Sequence, residues 1–133
     1  MYGYSSVSIS SGATTGGSGA STNNNTSSHV VVGQICSIGV TYNGSPPAST
    51  DLVIATAGNN GPALTILTLT NANSDGWFHP RHKIDDESGA DVTYDGSNEV
   101  YDKVCVADNI KITVSQANDD DSVDVVVVYY AGA

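Results

Sequence analysis

The densest run of chemically able side chains is Asn71-Ala72-Asn73-Ser74-Asp75-Gly76-Trp77-Phe78-His79-Pro80-Arg81-His82, which holds the chain's single Trp, its single Phe and two of its three His. His79 and His82 have the donor atoms of a metal site. Two imidazoles leave zinc short of ligands, however, and His79-Pro80-Arg81-His82 lies on no regular element that would fix their geometry, so no metal is assigned. Trp77 would also suit a stacking platform for a sugar ring. The plainer reading has Trp77 and Phe78 plugging one end of a β-sandwich, with Arg81 beside them at a contact between subunits, where aromatic and Arg side chains concentrate. Asp119-Asp120-Asp121 with Asp124 crowds carboxylates as calcium requires, but without EF-hand spacing or a closing bidentate Glu. It reads as a solvated hairpin tip, as does Asp85-Asp86-Glu87. Ser, Asp and His are present without a nucleophile elbow, a Gly-rich phosphate loop or a paired-carboxylate motif. The expectation is a non-enzymatic protein with no catalytic residue and no cofactor.

Charge narrows the partners. Fourteen acidic against four basic residues give a net charge of −10, which repels nucleic-acid phosphate and anionic lipid alike. No charged residue precedes Asp51, and Arg81, Lys83, Lys103 and Lys111 all lie in the second half. Met1 is followed by Tyr2-Gly3-Tyr4 rather than by a basic stretch and an apolar run, and no apolar run is long enough to span a bilayer, so synthesis in the cytoplasm is expected. Cys36 and Cys105 are too few and too isolated for a disulfide framework and read as reduced thiols.

Two kinds of segment must position these residues. Residues 1–28 are mostly Ser, Gly, Thr and Asn and bury too little to offset their ordering entropy, which predicts an extended arm that a neighbouring subunit or larger partner would order. Tyr2, Tyr4, Val7 and Ile9 form an apolar hook near its tip. From His29 onward the apolar residues recur with period two. Val30, Val32, Gln34, Cys36, Ile38, Val40 and Tyr42 share one face of a long strand. Further strands are predicted at Asp51–Thr56, Leu64–Thr70, Val92–Gly96, Val100–Val106, Ile110–Ser115 and Val123–Tyr130. The last is apolar on both faces and must be central or covered by a partner. The short polar turn Ala117–Asp121 predicts an antiparallel hairpin from the last two strands. No window has helical periodicity. The fold class is therefore all-β: a single antiparallel β-sandwich, Greek-key or jelly-roll-like, over residues 29–133, with an extended N-terminal arm over 1–28 that the sandwich does not need in order to fold.

Thr70-Asn71-Ala72-Asn73-Ser74-Asp75-Gly76-Trp77-Phe78-His79-Pro80-Arg81, Asp91-Val92-Thr93-Tyr94-Asp95-Gly96 and Glu99-Val100-Tyr101, within the run from Gly33 to Tyr130, resemble the small decoration or cement proteins of tailed-phage heads. The resemblance implies a β-sandwich on the outer surface of a virion head, made in the host cytoplasm, that clamps the major capsid protein and has no catalytic residues. Tyr2, Tyr4, Val7, Ile9, Trp77, Phe78 and Arg81 are then the expected capsid or intersubunit contacts. The doubly apolar last strand and the repetition of three-fold sites on icosahedral shells point to a homo-oligomer, with a trimer as the expected form. The alternative is a carbohydrate-binding or host-attachment module on a virion, using Trp77, Tyr94 and Tyr101.

Overall fold

The computed structural model describes residues 3–131; Tyr2 lies outside them. Ten strands follow one another with no helix among the described residues: β1 (Gly3–Ser10), β2 (Ser21–Thr26), β3 (Val31–Asn43), β4 (Asp51–Thr56), β5 (Thr65–Leu69), β6 (Gly76–Phe78), β7 (Arg81–Lys83), β8 (Tyr101–Asp108), β9 (Ile110–Ala117) and β10 (Ser122–Ala131). They form two antiparallel sheets. One runs β1-β10-β3-β8-β7, with β6 also paired to β3; the other runs β2-β9-β4-β5. The inward side chains of both sheets, among them Ile35, Ile38, Leu52, Ile54, Ile112, Val114, Val125 and Val127, make one buried core. This is the sandwich that period-two patterning predicts.

The N-terminal segment is not an arm. β1 pairs with β10 in unbroken register from Gly3↔Ala131 to Ser10↔Asp124. Its alternation sends Val7 and Ile9 into the core, where they are 5% and 4% exposed, so neither belongs to a free hook. The cause lies in β10, a Val-rich strand whose backbone has an edge on each side: β3 fills one, and β1 fills the other. An uncharged strand can fill that place without desolvating a charge. β2 has no apolar residue at all and is held by β9: Thr22 Oγ1 donates to the Val114 carbonyl at 2.6 Å, and the backbone pairs from Ser21↔Ala117 to Thr26↔Lys111.

The predicted β9–β10 hairpin is also corrected. The two strands lie in different sheets, so the turn between them crosses from one layer to the other. Each is a central strand, and their inward residues, Ile110, Ile112 and Val114 on one side and Val123, Val125 and Val127 on the other, are buried in the common core. At the crossing, Asp121 is not a solvated tip but 4% exposed. Its Oδ1 accepts the Ser45 N–H at 2.8 Å and its Oδ2 the Asn118 N–H at 2.9 Å. The buried Thr14 donates its hydroxyl to the Asn118 carbonyl at 2.7 Å and its N–H to the Asp121 carbonyl at 2.7 Å.

β3 does not keep one parity. Its pairing with β10 slips between Val128 and Tyr129, opposite the stretch Ile35 to Ser37, leaving Cys36 as the extra residue of a β-bulge. Before the bulge Val31 and Ile35 point inward while Val32 and Gln34 are exposed; after it Ile38 and Val40 point inward. The single face predicted from Val30 to Tyr42 is thus two half-faces of opposite parity.

Because Val7 and Ile9 close one side of the core, truncation to residues 29–133 is expected to cost about 3–6 kcal/mol from those two side chains alone, a large part of a typical domain's stability. Chemical denaturation should show a transition shifted far below that of the full chain, or none. A truncated chain unfolding at the full-length midpoint would contradict this role for β1.

Candidate functional site

Strand alternation separates the two aromatics that the sequence places side by side. β6 pairs with β3 through Ile38↔Phe78, Gly39↔Trp77 and Val40↔Gly76. Phe78 packs against the core, while Trp77 stands on the outer face of the first sheet and is 61% exposed. They do not jointly plug an end of the sandwich. Trp77 is held by the residue opposite it: Gly39 has no side chain, and a Cβ there would meet indole Cη2 at 2.9 Å and Cζ3 at 3.0 Å. The six-membered ring therefore lies directly over the Gly39 backbone, an arrangement in which an aromatic covers a bare strand position.

A shallow cleft of about 280 Å³ lies along this ring, lined by Gly39, Thr41, Asp75, Trp77, Asp124 and Val126 among others. Its two carboxylates are positioned by neutral donors. Asp75 Oδ1 accepts the Tyr42 N–H at 2.8 Å, and Asp124 Oδ2 accepts the Asn43 side-chain amide at 2.9 Å. The ion pairs among the described residues both belong to Lys83, with Asp91 at 3.4 Å and Glu99 at 3.2 Å, so neither cleft carboxylate is in one. The Tyr42 phenol beneath is raised above its ordinary value, by burial first and by the nearby Asp75 charge second.

The other residues singled out by sequence lie elsewhere. Arg81 does not line the cleft; its Nη1 donates to the carbonyl of the bulged Cys36 at 3.3 Å and to that of Pro80 at 2.8 Å, pinning β7 to β3. His79 and His82 are exposed, and no group of three or more His, Cys, Asp or Glu able to hold a metal ion occurs among the described residues. Tyr4 is 76% exposed and meets Tyr130 edge to face, ring centroids 5.4 Å apart. Tyr94 and Tyr101 are exposed, Tyr94 in the loop between β7 and β8 and Tyr101 at the start of β8. Asp75 and Gly39 were not expected to act with Trp77. The Gly39↔Trp77 register that joins them depends on a long-range pairing which no local pattern announces.

A second hollow, of about 230 Å³, lies between the β4–β5 loop and β8. The carboxylate at its margin is structural. Asp108 is 2% exposed and accepts the N–H groups of Gly58 at 2.9 Å, Asn59 at 3.3 Å and Asn109 at 2.8 Å. Burial works to raise its pKa, but the N–H donors of Asn109, Asn60, Gly58 and Asn59 together outweigh it and hold the carboxyl below the ordinary range.

No family model matches the chain, and no curated protein matches it. Among solved structures the chain is similar to FlhE, at 12% identity over 98% of each chain with a TM-score of 0.44. That match is not to a phage capsid protein, and it corrects the resemblance to tailed-phage head proteins. The decoration role, the alternative role on a virion and the location on a virion head fall with the resemblance. The likeness to FlhE carries no function to this chain.

Two outcomes follow from this geometry. Gly39→Val should drive the indole off the sheet, moving Trp fluorescence to the red and raising its quenching by iodide, while the unfolding free energy changes by no more than about 1 kcal/mol because Val suits a strand. An unchanged spectrum would mean that Gly39 does not seat the ring. For Asp108, a folded pKa below the unfolded one gives stability that is present above the unfolded value and lost as pH falls through the folded value. Asp108→Asn should therefore lower the thermal midpoint at neutral pH, with the gap to the unsubstituted protein closing as pH falls below 4. A gap independent of pH would contradict this assignment.

Proposed function

We propose that this chain is a non-catalytic binding protein whose outer-face cleft receives a cationic group, the guanidinium or ammonium of an Arg or Lys side chain on a partner protein. The observation that carries the reading is the exposed Trp77 indole lying in one cleft with two carboxylates, Asp75 and Asp124, that have no ion-pair partner among the described residues. A cation over an indole face gains about 0.5–2 kcal/mol, and carboxylates beside it add charge-assisted hydrogen bonds. The long-range field acts in the same direction, since a net charge of −10 draws basic partners in and turns phosphate backbones and anionic membranes away. The cleft lacks a nucleophile paired with a base, which is why binding rather than turnover is proposed.

As the chain's single Trp, Trp77 reports on its own site. Titration with short Arg-bearing peptides should change its emission saturably, and added salt should weaken the effect. Peptides with citrulline in place of Arg should produce no such change. Asp124→Asn should weaken binding about five- to tenfold, the equivalent of roughly 1 kcal/mol. Equal responses to Arg and citrulline peptides, or no response to either, would overturn the proposal.

A further inference from the structure

Besides the three-residue β6, which pairs only with β3, the two sheets end in four lateral edges, and three of these are blunted. β7 is three residues long and carries Arg81 and Lys83. β5 is five residues long, and its pairing with β4 slips between Ile54 and Ala55. β2 is irregular between Ser21 and Asn23, and its Asn23 and Asn25 amides donate back to the Ala13 and Ser10 carbonyls at 2.9 and 2.8 Å. β1 has none of these devices. It is eight residues long, keeps register with β10 throughout, and contains no charge and no Pro. Folded proteins generally cover or disrupt such an edge, because its unpaired N–H and C=O groups are a template for another strand.

The edge-facing groups can be identified. The Ser11 N–H donates to the Val123 carbonyl at 2.9 Å, so odd-numbered residues of β1 face β10 and even-numbered ones face outward. The Asn25 amide reaching the Ser10 carbonyl from the other sheet fits that parity. Tyr4, Ser6 and Ser8 are left presenting backbone donors and acceptors to the open edge, and all three are exposed.

We infer that β1 pairs antiparallel with β1 of a second copy of this chain across a two-fold axis at Ser6, making one continuous sheet from two molecules. The register is self-consistent. Ser6 meets Ser6 and Tyr4 meets Ser8, each pair matching outward-facing residues, for about six interchain N–H···O=C bonds. The large, exposed Tyr4 then lies opposite a small Ser8, which leaves room for its ring. Charge selects a second copy as the occupant. Two chains of −10 repel wherever their acidic surfaces meet, but β1, β2 and the segment joining them contain no charged residue, so two copies can approach along this flank without burying a charge. The inference does not depend on the Trp77 cleft, which lies on the face of the sheet rather than at its edge.

The test is sedimentation equilibrium of the full chain from micromolar to near-millimolar concentration. The expected result is a monomer–dimer equilibrium that ends at twice the chain mass. Ser6→Pro removes one outward N–H and no bond to β10, so it should keep the circular-dichroism spectrum and melting midpoint of the unsubstituted chain and raise the dimer dissociation constant at least about 100-fold. Ser6→Lys, placing like charges on the axis, should do the same. Under mild oxidation Ser6→Cys should cross-link copies well above the background from Cys36 and Cys105, since facing residues there lie within disulfide reach. A chain that stays monomeric, a limiting species other than a dimer, or a dimer that survives both folded Ser6 variants would overturn the inference.

Discussion

The crossing of the chain from β9 to β10 is the constraint on which the rest of the sandwich depends. Two strands adjacent in sequence and central in opposite sheets set the spacing of the layers, and the turn between them must hold while both pull inward. It holds through a polar knot. The Asp121 carboxylate accepts backbone N–H groups from Ser45 and Asn118, and Thr14 ties the N-terminal segment to the same turn. Asn118 completes it, its Nδ2 donating to the Ser45 carbonyl at 2.9 Å and its Oδ1 accepting from Ser18 and Gly19 at 3.0 Å. A buried carboxylate is stabilising only when its lone pairs are satisfied, and here its donors are the N–H groups of Ser45 and of Asn118 in its own turn, while Thr14 joins the knot through the backbone carbonyls of Asn118 and Asp121. The knot fixes where β1 and β3 both leave their sheet.

From that end the geometry propagates along β3. Its bulge at Cys36 turns the strand by one residue, so that Ile38 and Val40 reach the core while Gly39 faces out under Trp77. A strand without the bulge, entering with Val31 and Ile35 inward, would carry Gly39 toward the core, and the indole would have no bare backbone to lie on. Arg81 holds the bulge from the side by its bond to the Cys36 carbonyl. The cleft between Trp77, Asp75 and Asp124 is thus a product of register rather than of any local motif.

That dependence explains what could be read in advance. The all-β class and strands β3, β4, β5, β8, β9 and β10 were legible because Val, Ile and Leu recur with period two and Gly, Pro and Asn break them. The three-residue β6 and β7 are too short to show a period, and the strand expected at Val92–Gly96 is a loop with only an isolated Thr93↔Glu99 bridge. β1 and β2 were not legible, because Ser, Thr and Asn give no periodic signal; they are strands only where β10 and β9 offer edges to pair with. The hairpin expectation failed for a related reason: a short polar turn fits a crossover between layers as well as a return within one. Of the candidate site, Trp77 stood out by its type alone. Gly39 and Asp124 are 38 and 47 positions away in sequence and meet it only through the β3–β6 and β3–β10 pairings, while Asp75, two positions before it, is aimed by the Tyr42 N–H.

The first and last described strands also pair with each other, and their outermost partners are Gly3 and Ala131. Gly3 and Ala131 therefore sit about one strand spacing apart at the same corner, close enough for a few residues to bridge. A backbone link engineered between them would ask nothing of the core. A new beginning could be opened in the exposed loop between β7 and β8, where Gly89 and Gly96 lie and no strand would be cut. The order in which this polypeptide is read is thus largely separable from the shape it takes.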